Sequence, residues 1–569
     1  MTVKVTKVLT LVFYVLIITI LVFGLPQRSN LRVFAQPSLV VVIDSDTTWD
    51  KADSPYELTG PVRVNNGATL TIEAGVTVNF NDYEMRVEGT FVCGGDWDQV
   101  YLNNGLINLT TTSNGWNQQT KSGHIIQNTV MDKMDLSSKA PIKIINCNSE
   151  KSEITATGPS VIQDNTIGTI SIHGDGSLIE KNKIGALNVY EGIVKISDQT
   201  VSFIYCKGGS LEISECTIKY IDGYGENFKI SNNKVGRIGG FYPGASQKNK
   251  IEYFDVNSAE ITNNIIEQGA YVSAYWGKIS NNVFEGFVSG KQLVGGHFSG
   301  HLGDCPIIAV IEKGGLFEVS YNTITGHTYE YSYDTYYMWR TTVNRTTTTS
   351  GINVYGGFVT VANNTITDCS RGIFGGTRIE GNNLIDNVSG IGINNIDSEI
   401  RDNTISGGEN GISVSNDGFS IIEKNWITKQ SKSGIHTHGH SIQCNNNTIT
   451  SCPVALELIK CDSATINYNN IEDYNNSIYL TDTYGTIDAT NNWWGTTDTE
   501  TIGLSIHDSK YSLDLGTVNF TPLLTEPNPN AKPEYPPPIP EFPAWIVLPL
   551  LLGVAVVIAV IRGKLLKSD

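Results

Sequence analysis

Between residues 364 and 491 an asparagine followed two places later by an apolar residue recurs along the chain. The asparagines are Asn364, Asn383, Asn403, Asn425, Asn447, Asn469 and Asn491, and their partners are Ile366, Ile385, Ile405, Ile427, Ile449, Ile471 and Trp493. The gaps are 19, 20, 22, 22, 22 and 22 residues. A period this short and steady means that equivalent turns of chain stack on one another, so the pattern predicts a solenoid. Looser copies at Asn165, Asn182, Asn233, Asn264, Asn282 and Asn322, each again followed at the second position by Ile, Val or Phe, carry it towards the N-terminus, where insertions break the spacing.

The intervals are rich in Gly, Thr, Ser, Ile, Val and Asn and poor in strong helix formers, which points to short strands and tight turns. A leucine-rich repeat has a comparable period but needs an L-x-x-L-x-L signature that these coils lack. The pattern therefore predicts an all-β chain folded as a right-handed parallel β-helix over residues 37–525. Inward residues of one coil would sit about 4.8 Å above those of the next, so roughly twenty coils give a rod about 90 Å long. Asn suits the turn because it tolerates the left-handed backbone and its amide can bond the Asn of the neighbouring coil. Tyr56 to Phe91 reads as the opening coils, with Val62, Val64, Leu70, Ile72, Val76 and Val78 alternating between Asn65-Asn66-Gly67 and Glu73-Ala74-Gly75 turns.

The ends of the chain read differently. Lys4 and Lys7, the apolar run Leu9 to Leu25 and the small-residue site Val33-Phe34-Ala35 give residues 1–35 the character of a secretory signal, with an uncleaved anchor as the alternative. Residues 526–543, containing Pro533, Pro536, Pro537, Pro538, Pro540 and Pro543, read as a stiff Pro-rich linker that would stand the solenoid off a surface. Residues 544–561 hold no charge and reach roughly 27 Å as a helix, enough to cross a hydrocarbon core. Arg562, Lys564 and Lys567 make 562–569 a basic cytoplasmic tail by the positive-inside rule, leaving the rest of the chain outside.

Composition narrows the partners. A formal net charge of -18, with 17% charged residues and no basic stripe, disfavours nucleic acid. Seven N-x-S/T sequons occur, at Asn108, Asn344, Asn363, Asn387, Asn446, Asn475 and Asn519. The nine cysteines include no C-x-x-C pair, which argues against a zinc cluster. Cys216 precedes Ile218 by the ladder offset and reads as a small residue in a ladder turn. Cys206 with Cys216, or Cys444 with Cys461, are candidate bridges between neighbouring strands.

With the ladder, the closing Asn491-Asn492-Trp493-Trp494-Gly495 and the Pro540-Glu541-Phe542-Pro543 before the apolar segment, almost the whole chain resembles archaeal cell-surface proteins of the right-handed, pectate-lyase-like β-helix superfamily. The resemblance implies the fold and a Pro-Glu-Phe-type membrane anchor, either spanning or cleaved and rejoined to lipid. It leaves function open, because the superfamily includes lyases, hydrolases, epimerases, tailspikes and adhesins. The two tryptophans suit a plug for the open end of the stacked core.

Stacked coils bring side chains of equal register onto one face. Ile373, Ile412, Ile435, Leu456 and Ile478 fall in one inward column, which makes Phe374, Ser413, His436, Glu457 and Tyr479 the next outward column. His436 and His438 then share a strand face, with Glu457 one coil from His436. Two imidazoles and a carboxylate are an acid, a base and a weak metal set centred on His438; solvated surface side chains are the commoner outcome of such a pattern. The N-T-D, D-D, G-H-G and R-I-K pattern of the related hydrolases, the calcium carboxylates of the lyases and the Y-G-x-D-x-H of the epimerases are all absent. Thr328 to Thr349 interrupts the period with Tyr331, Tyr333 and Trp339 among six aromatics, either a platform for sugar rings or a hairpin that covers the core. The expectation is an exported, single-pass cell-membrane protein that binds extracellular polysaccharide or neighbouring surface proteins and needs no cofactor. A polysaccharide lyase or hydrolase using His436 and Glu457 is the alternative.

Overall fold

A strand buried on one face must stack its apolar residues under those of the next coil, and the chain does so along an unbroken column. From Ile366 the column runs through Leu384, Ile405, Ile427 and Ile449 to Ile471, each in parallel register with the next and each at most 1% exposed. Burying one such side chain contributes about 1.5 to 3 kcal/mol. The computed structural model describes residues 39–239, 254–284 and 307–534, apart from 327, 338, 349, 395, 440 and 462. It is a right-handed β-solenoid of about 18 turns, two fewer than the periodicity predicts.

The C-terminal coils have three strands each. Ser398–Arg401, Thr404–Ser406 and Asn410–Ser415 pair with Phe419–Glu423, Trp426–Thr428 and Ser433–His438 one turn later. Further towards the N-terminus the coils have two strands. Leu178–Glu180 and Lys183–Val189 pair with Ile193–Ser197 and Thr200–Lys207.

The asparagine ladder is real, but two rungs differ from the expected ones. The buried rungs are Asn382 and Asn492, both 0% exposed, not Asn383 and Asn491, and the inward partners are Leu384 and Trp494, not Ile385 and Trp493. Each lies in an Asn-Asn doublet, and position in the turn decides which member points inward. The left-handed backbone also belongs to the residue before each rung, not to the rung. Gly381, Asp402, Lys424, Asn446, Tyr468 and Asn491 have φ between 45° and 65°. For residues other than Gly this conformation costs about 1 to 2 kcal/mol, offset by bonds such as that of the Asp402 N–H to Glu423 O, 3.2 Å.

At the asparagine rungs inside the stack the side-chain amide ties three coils together. Asn425 Nδ2 donates to Asn447 Oδ1 at 2.9 Å and to Ile400 O at 2.9 Å, and the Asn425 N–H donates to Asn447 Oδ1 at 2.9 Å. The same pattern links Asn165 to Asn182. There Gln199 follows, accepting from Asn182 at 3.1 Å, and then Cys216, whose N–H donates to Asn233 Oδ1 at 2.9 Å. Cys216 thus occupies the ladder, as its offset predicts. All eight described cysteines are buried and none is in a disulfide. The suggested Cys206–Cys216 and Cys444–Cys461 bridges are therefore not formed. Burial pushes the Cys444 thiol up to about 12 and that of Cys216 to about 11, keeping both protonated and unreactive.

The C-terminal end is closed by one tryptophan, not two. Trp494 is 1% exposed and meets Phe520 edge-on, whereas Trp493 points outward and donates from Nε1 to Glu472 at 2.7 Å. A short helix, Thr499–Ser505, whose N-terminus is capped by Asp498, covers the rest through buried Ile502.

The chain then turns back as a strap along the flank. The Leu524 N–H donates to Asn492 O, Asn528 bonds Asn470, Tyr468 and Asn446, and Glu534 reaches Lys424 and Asp402. The stretch 526–534, expected to begin a free spacer, is thus docked on the solenoid, with Ala531 1% exposed. The remainder of the linker, residues 535–543, lies outside the described residues, as do the signal segment 1–35, the apolar segment 544–561 and the tail 562–569. No helix among the described residues is long and apolar enough to cross a membrane.

Candidate functional site

The outward column predicted from the coil alignment exists and is longer than expected. Phe374, Gly392, Ser413, His436, Glu457, Tyr479 and His507 are successive register partners on seven stacked strands. Each is held in place by its inward neighbour, in the order Ile373, Ile391, Ile412, Ile435, Leu456, Ile478 and Ile506. His436 and Glu457 meet, with Nδ1 and Oε2 2.9 Å apart and side chains 26% and 30% exposed. An imidazole bonded through Nδ1 to a carboxylate presents Nε2 as its free nitrogen.

Above Glu457 the column is aromatic. Tyr479 stacks on His507 with centroids 4.2 Å apart and planes 10° apart, and His507 stacks in turn on Tyr511 at 5.1 Å. The imidazole lies between two phenol faces, and its Nδ1 is buried without a hydrogen-bond partner. The periodicity gives no warning of His507, because the helix Thr499–Ser505 lengthens that turn to 28 residues, from Ile478 to Ile506. A local signal existed: Ser477-Ile478-Tyr479 and Ser505-Ile506-His507 repeat one pattern, and the two serine hydroxyls bond at 2.7 Å.

His438 does not join the pair. It lies two residues along the strand Ser433–His438, is exposed, and has Ser415 and Ile459 as register partners. Thr437 between the two histidines points inward. No group of three His, Cys, Asp or Glu side chains able to hold a metal occurs among the described residues. Among the described residues, His438 thus has no converging ligands for the weak metal role. The column carries one carboxylate, whereas glycoside hydrolysis ordinarily uses two, about 5 to 9.5 Å apart. Its resources are the imidazole of His436 oriented by one carboxylate, the ring-stacked imidazole of His507, hydroxyls at Ser413 and Tyr479, and ring edges.

Tyr331, Tyr333 and Trp339 lie elsewhere, on an antiparallel hairpin. Thr328–Tyr337 pairs with Trp339–Thr348, setting Tyr331 opposite Arg345, Tyr333 opposite Val343 and Tyr337 opposite Trp339. The backbone of the insertion is thus a two-stranded hairpin. A second histidine away from the column, His124, is wholly buried, accepts the Phe91 N–H on Nδ1 at 3.1 Å and is held by burial at a pKa of about 4. It is a neutral core residue.

Residues 389–512, which span the column from Gly392 to His507, match the family model described as right handed beta helix region. Comparison with curated proteins and with solved structures finds no match.

Proposed function

We propose that this right-handed β-helix is an exported, membrane-anchored surface protein with a structural, adhesive or glycan-binding role, and that it acts by shape and surface without catalysis. The observation that carries the reading is where the polar side chains go. The amides of the ladder bond coil to coil, so the interior specifies a stiff rod, and the polar column from Ser413 to His507 is a linear array at the coil repeat suited to a linear ligand. The signal-like residues 1–35 and the apolar segment 544–561 support presentation outside a membrane. Cell fractionation with protease shaving tests the location, and binding of the purified chain to polysaccharide and cell-wall arrays tests the role. A cytosolic chain, or one that binds nothing on the arrays and whose deletion leaves the envelope intact, overturns the reading.

The 2.9 Å contact of His436 with Glu457 favours one second reading, a polysaccharide lyase or hydrolase with His436 as base or acid and Glu457 orienting it. Incubation with acidic and neutral polysaccharides would then yield new unsaturated or reducing ends, lost in His436→Ala. No new ends from any of them excludes it.

A further inference from the structure

The strap does not simply lie across the solenoid; it engages both working groups of one sequon. In Asn446-Asn447-Thr448 the acceptor amide is that of Asn446, and its oxygen accepts Asn528 Nδ2 at 3.0 Å. The sequon hydroxyl, Thr448 Oγ1, donates to Ala531 O and is 6% exposed. Around these two bonds the strap is pinned by Asn528 Nδ2 to Tyr468 O at 2.6 Å, by the Asn528 N–H to Asn470 Oδ1 at 2.7 Å and by the Glu534 N–H to Asp402 Oδ1 at 2.9 Å. The middle residue, Asn447, is a buried ladder rung.

The other sequons differ. Asn475 and Asn519 are exposed. Asn387 is 2% exposed, with Nδ2 donating to Ile366 O and Oδ1 accepting from Cys369 N–H, which leaves no room for a sugar. Asn108 and Asn363 are half-buried as well, but among the described sequons Asn446-Asn447-Thr448 is the one whose amide and hydroxyl both bond a segment that the chain can lift without disturbing a coil, because the strap adds no strand to the sheet.

We propose that Asn446 is an N-glycan acceptor governed by the strap, with glycan and strap as alternative occupants of one surface. It rests on the exported reading above. Asn446 Nδ2 faces Glu423 Oε1 at 3.4 Å while Asn528 is held on the oxygen of the same amide; a sugar joined to that amide crowds the Asn528 side chain, so a glycosylated chain has its strap released. An unmodified chain keeps the strap down, with Glu534 on the flank at Asp402, four rungs back.

The test uses the full chain in an N-glycosylating host, as wild type and as Asn528→Ala with Ala531→Arg, which opens the strap while leaving every coil intact. Glycopeptide mass spectrometry at Asn446, Asn475 and Asn519 is read beside hydrogen exchange of amides 526–534. The expected result is sugar on Asn475 or Asn519 in both proteins, on Asn446 only in the variant, and protected strap amides only in the wild type. Equal occupancy of Asn446 in the two proteins, or a glycan on Asn446 together with a protected strap, overturns the proposal. So does an exported variant that is bare at Asn446. Fractionation of the same cultures separates this failure from that of the exported reading, which a chain retained in the cytosol would sink.

Discussion

Coils of 17 residues and coils of 22 share one amide ladder and differ in how much of their outer surface is left open. From Asn165 through Asn182, Gln199 and Cys216 to Asn233 each rung is 17 residues from the last. From Asn403 through Asn425 and Asn447 to Asn469 it is 22. In the short coils the chain passes from Ile167 to Ile170, both buried, in three residues; in the long ones it takes seven, from Ile405 to Ile412. The added residues build a third strand and a second corner. On the short coils the outward rings close over one another: His173 on Tyr190 at 4.6 Å, Phe203 on Tyr220 at 5.2 Å, with Lys207 and Lys219 over the tyrosines. Rings stacked this way present edges to solvent. Both the His436–Glu457 pair and the docked strap lie on the long coils, so coil length, not the ladder, decides where a surface is left open.

The largest expected effect separates the two kinds of rung. Asn425→Leu removes the oxygen that accepts from the Asn403 N–H, leaving that buried donor unpaired at about 1 to 3 kcal/mol. Asn403 Nδ2 keeps Ile379 O and Arg401 O, while the lost Asn425 Nδ2 bonds to Ile400 O and Asn447 Oδ1 add about 1 kcal/mol each. We expect a loss of about 4 kcal/mol. Cys216→Ala in the short coils orphans no amide, because its ladder bond uses its own N–H, and about 1 kcal/mol is expected. Stacked repeats need not unfold in one step, so site-resolved hydrogen exchange in the flanking coils is the proper measurement. Equal losses would show that rungs are interchangeable and end the comparison.

Next in size is the second corner of the long coils. Gly351, Gly372, Gly390, Gly411 and Gly434 stand over one another there, and a Cβ on Gly411 would lie 2.6 Å from both Gly434 O and Ile427 Cγ2. Gly411→Val should cost about 3 kcal/mol through overpacking, seen as a lowered Tm and early exchange in the coils around Asn425. Gly503→Ala, where the nearest atom is 3.8 Å away, should be neutral or mildly stabilising. If both are silent, the corner is not tightly packed.

Acid should distinguish the two ends of the rod by a smaller margin. His124 has a pKa of about 4 in the fold against 6.5 free, so the unfolded chain binds the proton more readily. Its contribution is complete above about pH 6.5 and falls as pH drops to about 4, a total of about 3 kcal/mol. It is the one fully buried histidine among the described residues. Coils near Phe91 and His124 should therefore open to exchange before the long coils do, and His124→Gln should flatten that dependence. Simultaneous opening would assign the acid response to surface carboxylates instead.

Much of this architecture was legible because stacking makes a sequence repeat itself. The inward Ile435 and Leu456 set the register that brought His436 to Glu457 without any model of the coil. The Asn382-Asn383 and Asn491-Asn492 doublets hid the true rung, since either member satisfies an Asn-then-apolar pattern and only the left-handed residue in front decides. The 17-residue repeat was hidden by Gln199 and Cys216, which keep the position but not the letter. His507 lay beyond an inserted helix. The strap was unreadable because its partners, Asn446, Asn470, Lys424 and Asp402, are 58 to 132 residues away and follow no repeat.

The smallest expected effect bears on whether the short coils lost rungs by tolerance or by need. Gln199 accepts from Asn182 but its own Nε2 is buried without a partner, and Cys216 offers no amide to receive it. Gln199→Asn with Cys216→Asn would restore a continuous run from Asn165 to Asn233, adding about 1 kcal/mol per completed buried bond. The two changes share one bond, so they should couple: Gln199→Asn alone gains little, while the pair gains more than the sum. Slower amide exchange between Asn182 and Asn233 in the double variant is the readout. If the pair instead exchanges faster, the 17-residue turn holds its chain too close for two more asparagine amides, and the larger Gln and smaller Cys are a size match that the 22-residue turn never required.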